Sequence, residues 1–64
     1  MTQIPLPMPD PAADLVLASM ARGAAYVVDI ARGADLAVAR VVEILWALAA
    51  RGIVEARGRR WVRL

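Results

Sequence analysis

ARGIVEARGRRWVRL, residues 50–64, is the stretch on which the reading of this chain turns. Gly52 supplies the left-handed stop of a preceding helix. The twelve residues after it alternate in the manner of a β-hairpin, with IVEA on one side, a turn at Arg57 and Gly58, and RRWVRL returning. That turn pairs Ala56 with Arg59, Glu55 with Arg60, Val54 with Trp61 and Ile53 with Val62. One face of the hairpin then carries Ile53, Glu55, Arg60, Val62 and Leu64, and the other Val54, Ala56, Arg59, Trp61 and Arg63. The Ile53 and Val62 face is expected inward, with Trp61 at its margin.

Immediately upstream lies DLAVARVVEILWALAAR, Asp35 to Arg51, a long helix with Asp35 as its expected cap. Val38, Val41, Ile44, Leu45 and Leu48 recur at core spacing, and Arg40, Glu43, Ala47 and Arg51 form a solvent stripe. A third face holds Ala39, Val42, Trp46, Ala49 and Ala50. An indole among alanines suits an interface, because small neighbours permit close approach and the tryptophan anchors. Cover by the first helix or by the N-terminal arm is the intramolecular alternative.

Working further toward the N-terminus, Gly33, Ala34 and Asp35 read as the turn into that helix. A short helix spans about 27–32, with Val27, Ile30 and Ala31 on one side. Gly23 closes an earlier helix that begins at Pro11, is capped by Asp10, and runs to about Arg22 with Val16, Leu17, Met20 and Ala21 inward. Prolines at 5, 7, 9 and 11 alternate with other residues, which favours an extended arm over residues 1–10. Ile4, Leu6 and Met8 of that arm are candidates to dock on a neighbouring subunit. The expected organisation is an arm at 1–10 and a domain at 11–64, mainly α with a small β-hairpin, in the α+β class.

The order helix, helix, turn, helix, hairpin resembles a minimal winged helix-turn-helix domain of bacterial and archaeal regulators. The resemblance covers roughly Pro11 to Leu64 and rests on Val27, Ile30 and Ala31, the turn before Leu36, the set Val41, Leu45 and Leu48, and the 50–64 close. It implies three helices plus a two-stranded wing, with the long helix directed to a major groove. Base edges are read by Arg, Lys, Asn, Gln, Ser or Thr. The outward positions here are Ala37, Val38, Arg40 and Glu43, so only Arg40 has the fork that matches guanine. The resemblance therefore moves the expected DNA contacts to Arg40 and to Arg57, Arg59, Arg60 and Arg63 of the wing, where arginines meet phosphates or a narrow minor groove.

Charge distribution points the same way. All eight basic residues are arginines. Residues 1–50 carry three of them against five carboxylates, a net of −2, whereas 51–64 carry five against Glu55 alone, a net of +4. A localised basic end is the usual footprint of a polyanion partner; a solvated hairpin whose arginines maintain solubility is the plainer explanation.

Several function classes are disfavoured by composition. With no cysteine and no histidine, disulfides, thiolate chemistry and imidazole metal ligands drop out, and scattered carboxylates make no metal site. The uncharged polar side chains are Thr2, Gln3, Ser19 and Tyr26, with no lysine or histidine to act as base, so no catalytic residue, cofactor or small-molecule substrate is expected. Asp10 and Asp14 fit helix-end electrostatics better than acid–base work. Apolar runs reach only about seven residues where a bilayer span takes about 20, and MTQIPLPMPDP lacks the basic start and apolar core of a signal peptide. The expectation is a cytoplasmic protein with no membrane partner. A chain of 64 residues buries only about 60% of its unfolded surface, which favours a homo-oligomer.

Two functions follow as expectations. One is a small DNA-associated regulator, a homodimer that holds duplex DNA mainly through wing arginines with weak sequence readout. The alternative is a winged-helix interaction module, an accessory or phage-type inhibitor of another protein, binding through Ala39, Val42, Trp46 and Ala50.

Overall fold

Pro11 cannot donate a backbone hydrogen bond, which costs nothing at the first position of a helix. Helix α1, Pro11–Ala21, begins there, and the Asp10 carboxylate accepts from the Ala12 N–H at 3.0 Å. The computed structural model describes residues 10–64. The arm at 1–10 thus lies outside the described residues except for Asp10. Helices α2, Val27–Ala34, and α3, Val38–Ala50, follow, and then strands β1, Val54–Arg57, and β2, Arg60–Arg63. Three helices and one antiparallel two-stranded sheet make a small α+β fold.

The three helices end alike. Past each lies a left-handed residue, Gly23 (φ 107°), Asp35 (φ 56°) or Gly52 (φ 74°). The amide after it donates five residues back: Ala24 to the Ser19 carbonyl, Leu36 to Ala31 and Ile53 to Leu48. This is the Schellman closure, which satisfies carbonyls that a helix end otherwise leaves unpaired. Asp35 therefore ends α2 instead of capping α3. Aspartate tolerates the left-handed region better than most side chains, and the N-cap of α3 falls to Ala37, which offers no side-chain acceptor.

Gly33 also departs from expectation, since it lies inside α2. A Cβ there would overlap the Ser19 hydroxyl and lie 3.3 Å from the Ser19 Cβ, so its missing side chain is what lets α1 and α2 approach. Ser19, 1% exposed, donates from its hydroxyl to the Ile30 carbonyl at 3.0 Å, and Arg22 Nη2 reaches the Gly33 carbonyl at 2.9 Å. The buried hydroxyl is thereby satisfied.

Val16, Ile30, Ala31, Val41, Ile44, Leu45, Leu48, Val54 and Trp61 form the core. Ala21 is exposed, because the inward line of α1 runs through Val16 and Ser19. Val38 is likewise exposed, lying in the first turn of α3 beyond the reach of the other helices.

The hairpin register is Val54 with Arg63, Glu55 with Val62, Ala56 with Trp61 and Arg57 with Arg60. The two turn residues are Gly58 and Arg59, one position later than the sequence suggests. Positive φ at Gly58 but not at Arg59 is the sign pattern of a II′ turn, whose twist matches the strands it joins. Moving a turn by one residue leaves the membership of each face unchanged, but the inward face is the one bearing Val54 and Trp61. Ile53 and Val62 are only half-buried. The Trp61 side chain is far larger than either and gains more by burial. The Trp61 backbone N–H donates to the Ala25 carbonyl at 2.8 Å, which ties the outer edge of β2 to the α1–α2 connection.

Candidate nucleic-acid interface

Three surfaces carry the side chains of interest: the N-terminal turn of α3, the wing, and the outer face of α3 around Trp46. At the first, Ala37, Val38, Ala39 and Arg40 are all exposed. Arg40 is not free to turn outward at no cost. Its Nη2 meets the Asp10 carboxylate at 2.7 Å and its Nη1 meets Glu43 at 3.3 Å, so the one guanidinium suited to a guanine edge is held between two acids. These are half-exposed groups, and each such pair contributes at most about 1 kcal/mol. The arrangement clips the start of α1 to α3.

The wing differs. Arg57 Nε bonds Glu55 at 2.8 Å, along one face of β1. Arg59, Arg60 and Arg63 are exposed and have no carboxylate partner among the described residues. Strand alternation places Arg57 and Arg60 on the outer face with Glu55, and Arg63 on the inner face with Trp61. Two like charges, Arg57 and Arg60, stand directly opposite each other beside the turn. Of the five arginines predicted to contact DNA, three are thus exposed without a carboxylate partner among the described residues, distributed over both faces and the turn of the hairpin, and two are engaged within the chain.

On the third surface Trp46 is 59% exposed, with exposed Ala39 and Ala50 and half-buried Val42 and Ala49 around it. The predicted interface residues do share one face. Neither α1 nor the described part of the N-terminal segment covers the indole. What sequence reasoning missed is the support beneath it. The Trp46 and Trp61 rings meet edge to face, with centroids 5.1 Å apart and planes at 84°, a favoured geometry for aromatic pairs. The two tryptophans lie fifteen positions apart, and no periodicity in either segment links them. The Trp46 face of α3 and the inner face of the wing therefore meet at the tryptophan pair.

No group of three or more metal-ligating side chains comes together among the described residues. No helix there is long and apolar enough to cross a membrane. No family model, curated protein or solved structure matches the chain. The three helices and hairpin are compatible with a winged-helix layout, and it is on the side chains alone that a functional reading rests.

Proposed function

We propose that this is a winged helix-turn-helix protein that associates with nucleic acid mainly through its wing, holding phosphates rather than reading bases. The observation that carries this reading is that three of the four arginines of the hairpin, Arg59, Arg60 and Arg63, are exposed and without carboxylate partners among the described residues. An unpaired guanidinium offers five donors in a fork that fits phosphate oxygens. Weak sequence readout follows from the start of α3, where Ala37, Val38 and Ala39 have no polar group for a base edge and Arg40 is held by Asp10 and Glu43. The reading assigns the protein no reaction and no cofactor; its role would be regulatory, by occupancy.

Phosphate contacts release counterions, so binding to a short duplex should weaken steeply with salt. Replacing Arg59, Arg60 and Arg63 with alanine should reduce the salt slope by about three units if each meets a phosphate. Absence of any duplex binding at low salt ends this reading.

A second reading keeps the same fold as a protein-binding module, or a homodimer, joined through Ala39, Val42, Trp46 and Ala50. The exposure of Trp46 favours it. Sedimentation separates the two, because a dimer broken by Val42→Glu supports the apolar face and a monomer that binds duplex supports the wing.

A further inference from the structure

We infer that Trp46 is a stacking platform for an unpaired nucleotide base, so that the preferred ligand is single-stranded nucleic acid or a duplex with a frayed end. The inference rests on the wing reading above and deepens it by naming the strand state of the ligand.

The apolar face of α3 carries one large side chain. Trp46 is the only side chain larger than valine among Ala39, Val42, Trp46, Ala49 and Ala50. A stable protein interface removes about 800 Å² per partner from water and is built around several large anchors. One indole among alanines falls short of that, but it matches a single base, whose flat face is of similar extent. Val42 and Glu43 precede Trp46 by one helical turn and Ala49 and Ala50 follow it, and the indole is 59% exposed, which leaves more than half of its surface open to a ligand. The edge-to-face contact with Trp61, itself only 7% exposed, holds the ring in place, so little rotamer freedom remains to be lost on stacking.

Charge supplies the second half. Arg63 lies two residues beyond Trp61 on the same face of β2, and Arg59 lies two residues before it in the turn. Exposed arginines thus stand two positions to either side of Trp61, the residue against which Trp46 packs. An aromatic platform beside a basic track is the arrangement by which single strands are held without sequence preference: phosphates follow the cations and bases stack. A duplex keeps its base faces inside the stack, where Trp46 cannot reach them.

The test uses the intact 64-residue protein with a ten-nucleotide thymidine homopolymer and a duplex of the same strand length at low salt, read by anisotropy of the labelled DNA and by tryptophan fluorescence. Stacking on Trp46 should quench fluorescence with the single strand and not with the duplex. Trp46→Leu keeps an apolar cover over Trp61 but has no ring, and should weaken single-strand binding at least about fivefold while leaving duplex binding unchanged. Trp46→Phe should recover part of the loss. Circular dichroism confirms that both variants are folded. If Trp46→Leu binds the single strand as tightly as the wild type, or loses both ligands equally, the platform is overturned although wing binding to duplex stands. If neither DNA binds, the wing reading falls with it. A wild-type dimer that Trp46→Leu converts to monomer assigns the face to a second copy of the chain and also overturns the proposal.

Discussion

The helical body commits two arginines to contacts between its elements, and the wing commits none. In the body, Asp10, Arg40 and Glu43 are joined by contacts of 2.7 and 3.3 Å, and Arg22 is bonded to the Gly33 carbonyl. In the wing, one internal pair, Glu55 with Arg57, stands beside three arginines that nothing within the described residues engages. Arg22 and Arg40 thus join separate helices, although Asp14, Asp29, Arg32, Asp35 and Arg51 of the body have no ion-pair partner among the described residues. No arginine of the wing makes a side-chain hydrogen bond or ion pair to the described body. Side chains that the fold does not need are where a binding function is best sought.

Substitutions can break that comparison at several strengths. The largest effect is expected where the two regions meet. The Trp61 side chain belongs to the core and packs edge to face with Trp46, so Trp61→Ala should cost about 3–5 kcal/mol even though the backbone bond to Ala25 remains possible. A core this small supplies about that much in total, so the variant should be largely unfolded in thermal denaturation followed by circular dichroism. A wing that melts while the helices survive would mean that the two regions are less tightly coupled than the shared core implies.

Next in size is the close approach of α1 and α2. Gly33→Ala forces a methyl group against the Ser19 hydroxyl, and overpacking of this kind costs about 1–3 kcal/mol. The penalty should shrink in a Ser19→Ala background, where the oxygen is gone. Equal penalties in both backgrounds, measured by urea denaturation, would place the strain elsewhere in the helix pair.

A smaller effect is expected at Asp10, which both caps α1 and pairs with Arg40. Asp10→Ala should cost about 1 kcal/mol from the cap and a few tenths more from the exposed pair. Arg40→Ala should cost only its two exposed pairs, with Asp10 and Glu43. A double-mutant cycle isolates the pair, and a coupling above about 1 kcal/mol would show Arg40 to be more deeply committed to the body than its exposure suggests.

Much of this architecture is legible in the sequence because it is written in local punctuation. Asp10 and Pro11 open α1, Gly23 and Gly52 close two helices, and Gly58 marks the hairpin. The misreadings share one cause, which is that each depends on a tertiary neighbour. Asp35 has the chemistry of an N-cap and of a left-handed terminator, and only the path from α2 to α3 decides between them. Gly33 looks like turn glycine until Ser19 is brought against it. Ile53 and Val62 suggest the wrong inward face for the hairpin, because burial there is set by how the strands lie on α3 and α1. The Trp46 and Trp61 contact is legible in neither segment alone. At the candidate site, the exposure of the wing arginines follows from the hairpin pattern. The capture of Arg40 by Asp10 does not, because it joins residues thirty positions apart.

The smallest effect is also the most informative about the wing. Arg57 and Arg60 face each other across the two strands, and like charges so placed destabilise a hairpin by a few tenths of a kcal/mol. Glu55 relieves this only in part, since its carboxylate is already engaged by Arg57. Replacing Arg60 with threonine removes the repulsion and adds a residue with better strand preference. Arg60→Thr should therefore be as stable as the wild type or more so, by about 0.2–1 kcal/mol, with the difference fading as salt screens the wild-type pair. Chemical denaturation at low and high ionic strength measures it. In the same variant, the salt slope of duplex binding should fall by about one unit. A gain in stability together with a loss of binding is what a side chain placed for a ligand produces. A loss of stability would instead make Arg60 part of the scaffold, and the division of labour between body and wing would no longer hold at that position.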